Sequence, residues 1–105
     1  MKYILVTTTL GFKGDADMLA QTVMEKKLGT CCQIDKVESS YLSKGKIENK
    51  GAGEVRMSII TKANLYKELE TLIINDNVNE IPEIIAVPII DGSTQYLNCI
   101  ESELK

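Results

Sequence analysis

Histidine is absent from this chain of 105 residues, and tryptophan is absent as well. Because histidine is the commonest general base and the commonest metal ligand, its absence excludes most acid–base catalytic centres and every imidazole metal site. A basic excess is also missing, since 12 Lys and Arg stand against 15 Asp and Glu and give a net charge of −3. We therefore expect no nucleic-acid partner, because phosphate recognition requires a basic face.

Long apolar runs and paired cysteines are missing too. The N-terminal apolar run from Tyr3 to Val6 is too short for a signal peptide or a membrane span, so we expect a cytoplasmic protein with no membrane partner. Three cysteines match neither a disulfide framework nor a C-x-x-C metal motif, and reduced thiols are expected. What is present, 44% hydrophobic and 26% charged residues, is typical of a globular protein. We expect residues 1–105 to form one domain around one core.

The spacing of apolar residues predicts the element order βαββαβ with a further helix at the C-terminus. The predicted elements are a strand over 3–9, a helix from the N-cap Asp15 to Gly29, a strand over 30–43, a strand over 46–60, a helix over 62–74 capped by Thr61, a strand over 83–87 and a short helix capped by Ser93. This is the pattern of an α+β ferredoxin-like sandwich, in which an antiparallel sheet has the first and third strands in the centre.

A long β2-β3 hairpin is the unusual part of this prediction. Along the second strand, the alternation of apolar residues shifts from one face to the other, which predicts a β-bulge near Asp35 and Lys36. The turn is predicted at Lys44-Gly45, with residues 51–53 as the alternative position of the tip. At about 3.3 Å per residue, residues 31–43 span roughly 43 Å, whereas a compact body of this length is about 34 Å across. The hairpin should overhang, and a partner chain is expected to cover its open edges.

The stretch from Glu80 to Pro88, E-I-P-E-I-I-A-V-P, joins an acidic entrance to an apolar strand. Pro82 has a fixed φ and no N–H, so the strand should begin near Glu83. Apolar residues on both faces predict an edge strand that is covered. Glu80 and Glu83 flank the proline and are candidate metal ligands, although such carboxylates are more commonly solvated.

This stretch, with Tyr96-Leu97 after it, resembles the signature of the CutA family of divalent-cation tolerance proteins. Further similarity runs along nearly the whole chain, at Leu5-Val6-Thr7-Thr8, residues 25–31, Tyr41 with Lys44-Gly45-Lys46, and Ile60-Thr61-Lys62. The resemblance implies a ferredoxin-like fold and a tight homotrimer similar to PII-type signalling proteins. It implies no enzymatic activity, because none is firmly assigned to the family. It also implies a role in tolerance of divalent metals, copper included. The chain departs from the family at Asn77 and Asn79, where a histidine and a tyrosine are common, and at Ser43, where a tryptophan is usual.

Cys31 matches the helix-exit cysteine of the family and is a candidate soft ligand for a weakly bound copper or divalent metal ion, with core packing as the alternative role. The adjacent Cys32 should point to the opposite face of its strand, so one chain would offer one of these two thiols to an ion. Cys99 is interpreted as a packing or surface residue. We therefore expect several Cys31 thiolates to meet only through the symmetry of a trimer.

A ligand cleft between subunits is predicted from five further side chains that match the family motifs. They are Tyr41, Lys46, Lys62, Pro82 and Tyr96. The lysines could contact a small anionic ligand, although solvated lysines and tyrosines at sheet rims are the commoner cases.

Three other functions fit the predicted fold. An RNA-recognition module needs stacking aromatics on its central strands, where this chain has Val55, Met57 and Ile59. A small phosphatase of acylphosphatase type needs an arginine in a phosphate-binding loop, and the only arginine, Arg56, lies inside a predicted strand. A PII-like small-ligand signalling module remains as an alternative, because fold does not fix function. The sequence thus favours a protein that binds an ion or small ligand and is not an enzyme.

Overall fold

The structure is a computed structural model that describes residues 2–76 and 82–105, apart from the side chains of residues 50–53. Its elements are β1 (Tyr3–Leu10), α1 (Lys13–Glu25), β2 (Cys31–Ser43), β3 (Lys46–Lys62), a 3₁₀ turn (Ala63–Leu65), α2 (Tyr66–Asp76), β4 (Ile84–Ile89) and α3 (Thr94–Glu103). Within the described residues, no helix is both long and apolar enough to cross a membrane.

The four strands form one antiparallel sheet in the order β2-β3-β1-β4. The predicted central position of the first and third strands is therefore confirmed, and so is the ferredoxin-like sandwich. Alternate side chains of β1 are buried against the helices, while those between them are half-buried. One face of the sheet thus carries the core, to which β1, β3 and the three helices contribute. Among the described residues, the largest fully buried apolar side chains are Val6, Leu19, Val23, Leu28, Met57, Ile59, Leu69, Ile73 and Ile100.

Helix α1 begins and ends at other residues than the sequence predicts. Its N-cap is Phe12, which makes no side-chain cap, so Asp15 lies in the first turn and the prediction of an Asp15 cap was wrong. The helix ends at Glu25, because Lys27 adopts a positive φ of 56°. The N–H of Lys27 then bonds to the carbonyl of Met24, and the N–H of Leu28 to that of Val23. These two bonds form a Schellman motif, which ends the helix before Gly29.

The second helical segment is preceded by a 3₁₀ turn, and Thr61 does not cap it. Thr61 lies in β3, where its side chain is fully buried. Its hydroxyl oxygen has no hydrogen-bond partner among the described residues. The residue in the N-cap position is Lys62, again without a side-chain bond. The prediction of a Thr61 cap was wrong because β3 continues to Lys62, two residues beyond the strand end that the alternation of apolar residues indicated.

The hairpin turns at Lys44-Gly45, as predicted, with positive φ values of 53° and 78° that are typical of a type I′ turn. The alternative tip at 51–53 is excluded, since these residues belong to β3. The register shifts between Val37 and Ser39, opposite residues 50–54. The bulge predicted near residues 35 and 36 was therefore placed about two residues too early, because the extra residues that cause the shift lie in the opposite strand.

The hairpin extends beyond the core, as its length predicted. The molecule measures 44 × 26 × 22 Å, and none of the side chains of residues 38–49 is buried. The apolar side chains of Leu42 and Ile47 pair across the two strands near the tip and are 74% and 75% exposed. The free end of the ribbon thus presents apolar surface that the described residues of this chain leave exposed.

Strand β4 is an edge strand, as predicted, but nothing in the described part of this chain covers its outer side. Ile85 and Val87 are 50% and 44% exposed, so the prediction that the strand is buried on both faces was wrong for the single chain. The helix that follows it, α3, begins as predicted. Ser93 is the N-cap and its hydroxyl accepts a hydrogen bond of 3.2 Å from the Tyr96 N–H.

Candidate functional site

A groove of about 500 Å³ opens between the last turn of α1, the first residue of β2 and one face of α3. We call it the thiol groove. The side chains that give it its chemical character are Met24, Lys27, Cys31, Tyr96, Cys99 and Glu103. The Schellman turn after α1 brings the chain directly into β2 and so places Cys31 at the sheet end, beside α3.

Helical spacing explains why α3 contributes three of these side chains. Tyr96, Cys99 and Glu103 follow one another at intervals of three and four residues, which places them on one face of a helix. Cys99 is an exposed free thiol and Cys31 is a half-buried one. Cys99 was not predicted as a site residue, although its helical interval of three residues from Tyr96 is a signal that connects it with the predicted site.

The electrostatics of Tyr96 also place the two thiols close to it. Desolvation raises the pKa of the Tyr96 phenol, and the charges of Cys31 and Cys99 raise this pKa further. Tyr96 is 45% exposed and therefore lies at the rim of the groove, with its ring available to a ligand.

Cys32 behaves differently from its neighbour. It packs against the hydrophobic core and is not part of the groove lining. Desolvation, followed by the charge of Cys31, raises the pKa of the Cys32 thiol to about 11. The prediction that the two adjacent thiols point to opposite faces is therefore confirmed, and Cys32 remains a protonated thiol near neutral pH.

Of the two predicted carboxylate ligands, Glu83 lies in the described part of the chain and is not part of the groove lining. Glu80 lies outside the described residues, as do Asn77 and Asn79. Glu83 precedes β4 next to Pro82, and its Oε2 accepts a hydrogen bond of 3.3 Å from the hydroxyl of Thr9. Within the described part of the chain, no three His, Cys, Asp or Glu side chains gather closely enough to hold a metal ion.

Lys62, a predicted anion contact, has protein partners instead. Its ammonium group lies 2.7 Å from Glu101 and donates to the carbonyl of Lys105 at 3.3 Å. Hydrogen bonds from Lys2, Lys62 and Tyr3, in that order of effect, lower the pKa of Glu101 to about 2. The positive charge of Lys62, the last residue of β3, is thus already paired with the Glu101 carboxylate.

Tyr41 and Lys46 lie at the other end of the molecule, on the overhanging hairpin. Lys46 follows the turn directly, and Tyr41 pairs across the strands with Glu48. Of the five residues predicted to line a cleft, only Tyr96 reaches the thiol groove. One chain therefore does not bring the five together, and a cleft between subunits remains a prediction.

Known proteins resemble this chain over nearly its whole length. The family model described as CutA1 divalent ion tolerance protein matches residues 4–103. A protein CutA homolog from Danio rerio is 37% identical over 83 residues, which cover 78% of this chain and 54% of that protein. The chain spans about half the length of the vertebrate relatives it matches.

Solved structures agree over their full length. The periplasmic divalent cation tolerance protein CutA from Archaeoglobus fulgidus has a TM-score of 0.93 at 26% identity, and the match covers 98% of this chain and 99% of that one. CutA1 from the psychrotrophic bacterium Shewanella sp. SIB1 has a TM-score of 0.91 at 35% identity, with 97% and 94% covered. The fold and the sequence thus point to the same group of proteins.

Proposed function

The chain belongs to the CutA1 divalent ion tolerance family, and we propose that it is a non-enzymatic homotrimer that contributes to tolerance of divalent metals, copper included, by binding an ion or a small ligand. We further propose that residues 1–105 act as one CutA-like domain in the cytoplasm. The family resemblance supports the trimer, and so does one observation in the chain itself.

That observation is the uncovered apolar surface at two places that neighbouring copies can reach. The hairpin carries exposed Leu42 and Ile47 beyond the core, and the β4 edge carries half-exposed Ile85 and Val87. An open sheet edge and an overhanging apolar ribbon are unfavourable in water unless another chain pairs with them. Assembly of several copies would bury both.

The absence of catalysis is supported by what the charged residues of the chain do. Arg56, the only arginine, lies in β3 and forms a 2.9 Å salt bridge with Asp35 on the neighbouring strand. It is therefore neither in a loop nor free to hold a phosphate, which argues against a phosphatase of acylphosphatase type. A PII-like ligand-binding role needs no such residue and stays within the proposal.

Light scattering coupled to size exclusion tests the assembly. We expect a mass three times the chain mass of 11.6 kDa at micromolar concentration. A mass of one chain would contradict the proposal. Expression in a bacterium that lacks its own homologue tests the metal role: the protein should restore growth at copper concentrations that inhibit that strain, and unchanged sensitivity would contradict this part.

A further inference from the structure

The turn between β4 and α3 contains a pair of residues that occurs nowhere else in the chain. Asp91 is followed by Gly92, whereas no other aspartate or asparagine precedes a glycine. Both residues are exposed and lie between the end of the strand and the start of the helix. The N–H of Gly92 donates a hydrogen bond of 2.8 Å to Oδ1 of Asp91. The main-chain nitrogen is thus held against the carboxyl group of the residue before it.

We propose that Asp91-Gly92 is a site of spontaneous main-chain modification, at which the aspartate cyclises to a succinimide and reopens as isoaspartate. Water is the only other reactant, and the exposure of both residues gives it access. The inference goes beyond the proposed function and does not rest on it, because neither a metal ion nor a second copy of the chain takes part.

The reaction moves bonds without transferring electrons. The Gly92 nitrogen forms a bond to Cγ of Asp91 and loses its proton, while one carboxyl oxygen leaves as water. Hydrolysis of the resulting cyclic imide consumes one water. Attack at Cγ breaks the new bond and restores aspartate, whereas attack at the main-chain carbonyl carbon of Asp91 breaks the original peptide bond. In the second product the chain runs through Cγ, and its atomic composition is unchanged.

The local structure favours this reaction at one aspartate over others. Gly92 has no Cβ to shield its nitrogen, and glycine permits the main-chain rotation that ring closure requires. Asp17 and Asp35, in contrast, lie within α1 and β2, where hydrogen bonds of helix and sheet hold the main chain. Their carboxylates are also paired, with Lys13 and Arg56, each at 2.9 Å. Ring closure there would have to break these contacts.

Isoaspartate would change the entry into α3, because it adds one methylene group to the path of the main chain. Ser93, two residues after Asp91, caps this helix by accepting a hydrogen bond of 3.2 Å from the Tyr96 N–H. A Cβ atom at Gly92 would lie 3.3 Å from Cδ2 of Leu97, so the turn packs closely on the start of the helix. A longer main chain would disturb both the cap and this contact, and the modified form should unfold more readily.

Incubation of the full chain in neutral buffer, below its unfolding temperature, tests the site. Cleavage after glutamate releases residues 84–101, and electron-transfer fragmentation of this peptide distinguishes isoaspartate from aspartate. We expect isoaspartate to accumulate at Asp91 with time, preceded by a succinimide that is lighter by one water. Asp35 in the same sample is the internal reference and should stay unmodified. Equal accumulation at both positions, or none at Asp91, would overturn the proposal.

Four variants separate the contributions of the two residues. Asp91→Glu should abolish the product, because its carboxyl group would have to close a larger ring. Gly92→Ala should slow the reaction, since a Cβ atom shields the nitrogen, and the flexible Leu97 side chain can move to relieve the contact. Asp91→Asn should accelerate it, with ammonia leaving in place of water. Asp35→Glu is the matched control and should leave the rate at Asp91 unchanged. An unchanged rate in Gly92→Ala would contradict the role assigned to the glycine.

The effect on α3 is tested on wild-type protein alone. Chromatography separates the isoaspartate form from the unmodified chain after incubation, and urea unfolding of the two fractions compares them. We expect a lower midpoint for the isoaspartate form, because the start of α3 is disturbed. Equal midpoints would overturn the predicted disturbance of the helix.

Discussion

Glu101 connects the C-terminal helix α3 to the N-terminus and the sheet through polar contacts with three side chains. Its carboxylate is 2.7 Å from the Lys62 ammonium and 2.5 Å from that of Lys2, and it accepts a hydrogen bond of 3.0 Å from the Tyr3 hydroxyl. These partners belong to β1, β3 and the N-terminus. The same contacts explain why Lys62 is a structural residue in the single chain, in contrast to the anion contact that the sequence suggested.

Glu101→Gln should make the stability of the protein less sensitive to acid. Hydrogen bonds from Lys2, Lys62 and Tyr3 lower the folded-state pKa of Glu101 from 4.5 to about 2. A depressed folded pKa means that the stabilisation is present above the unfolded pKa and is lost as pH falls through the folded pKa. The wild type should therefore lose stability between about pH 4.5 and pH 2, and the variant should lose less in this window while being less stable at pH 7. Urea unfolding midpoints measured across this range give the comparison.

Glu38→Gln is the control for this measurement, because Glu38 is an exposed carboxylate on the hairpin. It should retain the wild-type acid dependence. If Glu101→Gln also retained it, the contacts of Glu101 would not contribute to folding as described.

Cys99 shows what residue patterns alone leave undetermined. Its helix was predicted from Leu97, Ile100 and Leu104, and the burial of Ile100 and Leu104 confirms that prediction. Its place in the same groove as Cys31 depends on how α3 packs beside the exit of α1, which no spacing along the chain specifies. Periodicity thus predicted the helix and its buried face, and only the packing of α3 showed that Cys99 lines the groove.

At the scale of elements, the exit of α1 packs directly against the sheet at Gly29. A Cβ atom at this position would lie 2.6 Å from Cγ2 of Ile59 and 2.8 Å from Cγ1 of Val23. Both neighbours are fully buried. The glycine that was predicted to stop the helix is therefore required for close approach, and Lys27 performs the helix-ending role.

Gly29→Ala should destabilise the protein by about 1–3 kcal/mol, the usual cost of adding a methyl group to a packed core. Gly11→Ala is the matched control, because a Cβ atom there meets nothing within 4 Å. It should be neutral, or stabilise by up to about 1 kcal/mol through the unfolded state. Denaturant unfolding of both variants checks the difference, and equal stabilities would contradict the packing of α1 against β3 at this point.

Element types followed from the sequence more closely than element ends. Alternation in Val55, Met57 and Ile59 identified β3, and all three side chains are buried. The helix caps were less predictable, because Asp15 and Thr61 were chosen by residue type alone. Helix α1 instead begins after Phe12, and the helical segment after β3 begins only where that strand ends.

At the scale of the whole molecule, the hairpin gives the chain an elongated shape that the core alone would not produce. Its longest dimension of 44 Å is well above the other two, 26 and 22 Å. The overhang was predicted from the length of the second strand in the sequence. The exposure of β4, in contrast, became visible only once its place at the edge of the sheet was known. Both features leave apolar surface that a second and third copy of the chain would cover.

The double variant Leu42→Glu, Ile47→Lys should separate the proposed trimer into single chains. These residues face each other across the hairpin, so opposite charges pair there and keep the ribbon itself intact. In a single chain the change should be nearly neutral, because both side chains are about three-quarters exposed. In an assembly the same ion pair would be taken out of water, and the desolvation of its two charges costs several kcal/mol for each interface. Light scattering at micromolar concentration should then report 11.6 kDa. The control is Met18→Glu, because Met18 belongs to α1 and not to the hairpin and its side chain is 71% exposed. This variant should keep the mass of the proposed trimer. A double variant that remained trimeric would show that the hairpin tip lies outside the interface.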